Sequence, residues 1–134
     1  MSPATTTFSE VAEGVRAAIA AYTLALDDGR TDDVVATFCP DGTCEIPGLG
    51  THTGSDALRA AYGAWEPKVP QRHLVLNTLV TDWGEEEARA TSDIVFTTKG
   101  PGGWSIMLVG RYHDVLHRSG DGWRFHHRRA EFVE

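Results

Sequence analysis

His73 and Asp27 are residues of this chain whose types could together move a proton. An imidazole takes up and returns protons near neutral pH, and a carboxylate bonded to one ring nitrogen orients the ring and stabilises its cationic form. His73 lies in Gln-Arg-His-Leu-Val-Leu-Asn-Thr-Leu-Val, which alternates like a strand, while Asp27 closes an alanine-rich amphipathic helix in the N-terminal third. Each has a plainer reading beside this one: a strand histidine satisfied by backbone, and a helix-stopping acid in Asp27-Asp28-Gly29. An acid at a helix C-terminus meets the negative end of the helix dipole, so something should compensate it, and an imidazolium would. Asp28 is the alternative partner. At 100° per residue, Asp27 and Asp28 lie about 120° and 140° from the centre of the helix's apolar stripe, on opposite flanks.

Other residues with chemical potential read differently. Arg128 shares strand parity with His126 and Ala130, and Arg129 with His127 and Phe125, so one set faces inward unless a bulge swaps the faces. The plain role for both arginines is pairing with surface acids such as Glu131 or Asp121. His113 and His117 are four apart, which on a strand is about 13 Å and too far to share an ion. His126 and His127 are expected to point to opposite faces, and no metal is expected. Cys39 and Cys44 lie around a Pro-Asp-Gly turn without finger-like partners and read as inert thiols. Tyr112, Trp65, Phe96 and Trp104 read as core or rim aromatics, and Asn77 as a structural residue.

Positioning these side chains falls to a chain of 134 residues, which is expected to form one domain over 1–134. Its 41% hydrophobic and 23% charged residues are those of a folded globular protein, and its net charge of −7 opposes nucleic acid and anionic lipid. No apolar run approaches the roughly twenty residues that span a bilayer, and Met1 to Thr7 lack a basic-then-apolar leader, so a cytoplasmic location is expected.

Thr7 and Glu10 can form a capping box for a first helix whose stripe is Val11, Val15, Ile19, Tyr22 and Leu26. Thr31 can cap a short second helix, Thr43 to Ile46 reads as a short strand, Pro47-Gly-Leu-Gly as a loop, and Ser55 opens a third helix that Pro67 ends. After Pro70 the period becomes alternating and predicts strands over 71–82, 86–98, 104–118 and 122–133, separated by Gly-containing turns. The expected fold is α+β: a cone-shaped α+β barrel in which three N-terminal helices pack on a strongly bent, mostly antiparallel sheet, with a pocket at its open end. The sheet's outer face must be covered or polar, which predicts a homo-oligomer, a dimer before a trimer.

The segments Tyr22-Thr-Leu-Ala-Leu-Asp-Asp-Gly, Phe38-Cys-Pro-Asp-Gly, Gly50-Thr-His-Thr-Gly, Arg72-His-Leu-Val-Leu-Asn, Gly110-Arg-Tyr-His-Asp and Gly122-Trp-Arg-Phe-His-His-Arg, in this order, resemble the SnoaL-like family of the nuclear-transport-factor-2-like superfamily. Within it the chain is most similar to the scytalone dehydratase and hexachlorocyclohexane dehydrochlorinase types. The resemblance implies that His73 is a base, Asp27 its partner, and Arg128 a stabiliser of a departing anion. It also implies that Leu108, Gly110 and Tyr112 stand on pocket-lining positions; Tyr22, Trp65 and Phe96 complete the expected binding surface. Tyr22 stands where the dehydrochlorinase has a lysine, and Leu26 where the dehydratase has a tyrosine, so neither substrate carries over. The implied activity is that of a cofactor-independent lyase or isomerase acting on a small hydrophobic ring compound. The alternative is a hydrophobic-ligand carrier or an accessory subunit.

Overall fold

In a computed structural model describing residues 5–133, the chain runs α1 (Phe8–Asp27), α2 (Thr31–Ala36), β1 (Phe38–Ile46), β2 (Gly50–Thr53), α3 (Ser55–Ala64), β3 (Gln71–Trp83), β4 (Glu87–Gly100), β5 (Gly103–Ser119) and β6 (Gly122–Phe132). The six strands form one sheet in the order β2-β1-β6-β5-β4-β3. Every neighbouring pair is antiparallel except β1 and β6. The three helices pack against this strongly curled sheet, so the α+β expectation holds.

α1 forms because its apolar residues recur every three or four positions. Val11, Val15, Ile19 and Tyr22 all lie on its buried face. The Thr7 hydroxyl accepts the Glu10 N–H at 3.2 Å and starts the helix. It ends in a left-handed turn: Gly29 takes φ 71, and the N–H groups of Gly29 and Arg30 return to the carbonyls of Leu26 and Ala25. Glycine accepts that φ without a Cβ clash. This stop fixes Asp27 as the last helical residue and turns its side chain toward the sheet.

Three short elements differ from expectation. Thr31 is the first residue of α2 rather than its cap, and its hydroxyl donates to Glu66. β1 begins at Phe38, through the expected turn, and its register against β6 shifts between Phe38 and Thr43. Part of the expected loop pairs instead: Gly50–Thr53 forms β2 on β1. The core lies between the helices and the inner face of the sheet, with Val11, Val15, Leu58, Leu116 and Phe125 fully buried. No helix of the described residues is long and apolar enough to cross a membrane.

Candidate active site: a histidine–carboxylate pair at an apolar cavity

β3 carries Gln71, His73 and Val75 on the face turned toward α1, and Arg72 and Leu74 on the other, as the period of two dictates. Because α1 ends beside this strand, Asp27 meets it side-on. Its carboxylate, only 5% exposed, accepts three hydrogen bonds: from the His73 backbone N–H at 2.8 Å, from the Gln71 amide at 3.2 Å, and from His73 Nδ1 at 2.6 Å. The backbone bond and the ring bond come from the same residue, so carboxylate and imidazole hold each other in one orientation. Asp28 instead faces solvent near Arg30, so of the two acids it is Asp27 that contacts His73. With Nδ1 engaged, Nε2 is the ring nitrogen left for other work.

The His73 ring stacks on Phe96, its cross-strand neighbour on β4, with centroids 4.4 Å apart. Phe96 pairs in turn with Leu108 on β5. This row forms one wall of a cavity of about 260 Å³, lined also by Tyr22, Leu26, Ile46, Tyr62, Trp65, Ile94 and Tyr112. Of the six expected pocket residues, Tyr22, Trp65, Phe96, Leu108 and Tyr112 line it together with His73, and Gly110 does not. A wider, more open groove between α1 and β3 also reaches His73, and its walls include Arg16, Thr23 and Asn77. The first cavity is the less open and more apolar of the two, and His73 borders both.

At the cavity floor the hydroxyls of Tyr22 and Tyr62 lie 2.6 Å apart, and Cys44 Sγ is 3.2 Å from the Tyr62 hydroxyl. Burial pushes Tyr22, Tyr62 and Tyr112 above the usual phenol range, and burial likewise raises the Cys44 thiol, so all remain protonated at neutral pH. Tyr62, Gln71 and Cys44 were not singled out in the sequence as site residues. Tyr62 is disguised as one more apolar position of α3, and Gln71 as the start of a strand.

Arg128 is on the inner face but does not line the cavity. It is 1% exposed, with its guanidinium carbon 3.5 Å from the Tyr112 ring centroid, 4.2 Å from Tyr22 and 4.5 Å from Phe125. Its partner is the buried Asp114 at 3.1 Å, neither a surface acid, as in its plainer reading, nor a leaving group in the cavity, as the resemblance implied. That contact satisfies distance without hydrogen-bond alignment, so the pair is held by charge and by the aromatic cage. Burial raises the Asp114 carboxyl to about 6 against the opposing pull of Arg128.

The bulge that sequence parity could not place lies in β6. Leu116 pairs with Phe125 and Val115 with His127, which leaves His126 as the extra residue. Phe125 and Arg128 both remain buried, so His126 and His127 are both on the outer face, contrary to the expected alternation. His126 stacks on His117, and His127 pairs with Glu45 at 3.0 Å. His113 pairs with Glu131 at 3.3 Å on the same face. Asn77 adopts φ 56 at a register shift of β3, and its amide donates to Asp93, a structural role.

The fold has close counterparts among solved structures. A protein of unknown function from Mycobacterium tuberculosis is 27% identical, with a TM-score of 0.85 over 92% of this chain and 72% of its own. A Novosphingobium aromaticivorans protein assigned as a scytalone dehydratase is 19% identical, with a TM-score of 0.81 over 92% of this chain and 84% of its own. From the same organism, a protein assigned as the beta subunit of an aromatic-ring-hydroxylating dioxygenase is 21% identical, with a TM-score of 0.81 over 96% of this chain and 93% of its own. No curated protein matches the chain in sequence. The SnoaL-like domain model matches residues 9–129, nearly the whole length, and the chain belongs to the SnoaL-like family of the nuclear-transport-factor-2-like superfamily.

Proposed function

We propose that this chain is a cofactor-independent lyase- or isomerase-type enzyme in which His73 abstracts a proton from carbon in a small hydrophobic ring substrate. The observation that carries the reading is the 2.6 Å contact between Asp27 and His73 Nδ1 at the wall of a mostly apolar cavity. Asp27 fixes the tautomer, leaves Nε2 as the base, and stabilises the imidazolium that forms. Phe96 keeps the ring from turning.

The electrons released from carbon need a destination. A Cys44 thiol donating to Tyr62, and Tyr62 donating to Tyr22, leaves the Tyr22 proton for a substrate oxygen. Neutral phenols in an apolar site are effective donors to a developing oxyanion. Arg128 acts behind Tyr22 and Tyr112, where its charge favours anion build-up at the floor without touching substrate. The cavity admits about one small ring, and its mostly apolar lining selects an uncharged one. Enolisation of a ring ketone needs no more than these groups, and loss of water or halide needs a leaving group oriented toward the floor. The test is a panel of isomerisable ring ketones, dehydratable alcohols and halides: turnover lost on His73→Ala supports the reading, and equal rates for both proteins on every reactive member contradict it.

A second reading rests on the outer sheet face, where Leu74 and Leu76 on β3 and Ile106, Met107 and Val109 on β5 are exposed on either side of β4. Such a patch fits self-association, a dimer before a trimer, or an accessory role beside a larger subunit. Light scattering at high concentration separates a dimer from a monomer.

A further inference from the structure

We infer that Cys39, His117 and His126 form a binding site for a thiophilic divalent cation of the zinc type on the outer side of the sheet. The three residues come from β1, β5 and β6, which are adjacent in the sheet, and their ligand atoms all lie within 4.8 Å of one another. None of the three lines the cavity, so the site is separate from the histidine–carboxylate pair.

The cluster exists because of two irregularities. The register of β1 on β6 matches Phe38 to Phe125, which brings Cys39 alongside His126. His126 is the bulge residue of β6, set between the inward Phe125 and the outward His127, and it stands on the outer face. Spacing along the chain concealed the set, since only the fold joins a residue of β1 to the β5–β6 hairpin.

The groups have unmet bonding capacity. His126 Nδ1 is enclosed and has no hydrogen-bond partner, Asp41 standing 3.8 Å away. Cys39 has only a long contact to the Arg124 carbonyl at 3.7 Å. His117 gives Nε2 to Glu87 at 3.1 Å, which leaves Nδ1 for an ion and supplies the carboxylate that commonly orients a ligating imidazole from behind. The His117 and His126 rings stack at 4.2 Å and 10°, an arrangement suited to neutral imidazoles, the form that binds metal.

One thiolate and two imidazoles favour zinc or cobalt over magnesium or calcium. Tetrahedral coordination with bonds of about 2.0–2.3 Å places donor atoms roughly 3.3–3.6 Å apart, so the cluster closes by side-chain rotation. The stacked rings must splay, because each nitrogen lone pair lies in its ring plane. Water or the exposed Asp41 carboxylate can take the fourth position. Burial, and then Asp41, push the Cys39 thiol up. It is therefore protonated without metal, and binding exchanges that proton for the ion and releases it to solvent. An ion here ties β1 to β6 and β5 where the β1 register breaks.

The test is titration of the chelator-treated full chain with cobalt(II), followed by displacement with zinc(II). The expected result is one cobalt per chain, tetrahedral d–d absorption, a thiolate-to-cobalt charge-transfer band, and a rise in Tm with zinc. Cys39→Ser should remove the charge-transfer band, and His126→Gln or His117→Gln should weaken binding about tenfold or more. His113→Gln, on the same face but outside the trio, should bind as wild type. Should Cys39→Ser fail to fold, the band in wild type and its weakening in His126→Gln still decide. Absence of the charge-transfer band in wild type, or equal binding by wild type and His126→Gln, overturns the inference.

Discussion

Two pairs of opposite character stand on the inner face of one sheet, Asp27 with His73 and Asp114 with Arg128. Both carboxylates are buried. Asp27 is fully hydrogen-bonded, and its partner keeps one ring nitrogen uncommitted beside a cavity. Asp114 lacks an aligned hydrogen bond, and its partner is closed beneath three aromatic rings. The first has the organisation a proton-transfer site needs: an oriented base with a free valence and room for a substrate. The second has that of a structural charge pair, whose effect on the cavity passes through the phenol rings. Burial of a charged residue does not by itself mark a catalytic group; a free donor or acceptor facing substrate space does.

The largest way to break this contrast is at the sealed pair. Arg128→Ala leaves Asp114 buried alone and is expected to cost about 3–5 kcal/mol of folding stability, measured by urea unfolding. A small loss with a large fall in turnover would make Arg128 a group that meets substrate. At the open pair the pattern reverses. Asp27→Asn should keep the fold and lower turnover about 10²-fold or more, because the imidazolium loses its counter-charge.

The pairs also differ in their response to pH. The Asp114 carboxyl is raised to about 6 in the folded chain, above the ordinary aspartate value of 3.8. Its stabilising contribution is thus complete below about pH 4 and is lost as pH rises through about 6. The loss is on the order of 1–3 kcal/mol at 1.36 kcal/mol per unit. Stability of wild type relative to Asp114→Asn should therefore fall between pH 4 and 6.5 in parallel urea titrations; a constant difference would mean that Asp114 stays ionised throughout. The smallest effect is expected at Tyr62→Phe, which removes one hydroxyl of the floor and should slow turnover by about tenfold with little change in stability.

The helices and four long strands were legible because each is written in local periodicity: a stripe every three or four residues to Leu26, then alternation after Pro70. Asp27 and His73 were legible as types, though the choice of Asp27 over Asp28 required the left-handed turn at Gly29 to aim the side chain. What local pattern could not carry was decided by distant pairing. β2, the parallel β1–β6 contact and the bulge at His126 depend on strands far apart in sequence. The bulge alone lets Phe125 and Arg128 share the inner face and sets Arg128 against Asp114. Tyr62 was hidden because a phenol on an apolar stripe looks like any core aromatic until its hydroxyl meets that of Tyr22.

The central claim, that His73 takes a proton from carbon, can be tested without knowing the natural reaction. Small ring ketones that bind the chain are incubated with it in deuterium oxide, and deuterium uptake beside the carbonyl is followed by mass spectrometry. The account predicts uptake with wild type and a loss of about 10²-fold or more with His73→Gln, while ligand binding by calorimetry is retained. Bound ketone that exchanges no faster than in buffer, or equally fast with both proteins, would contradict it.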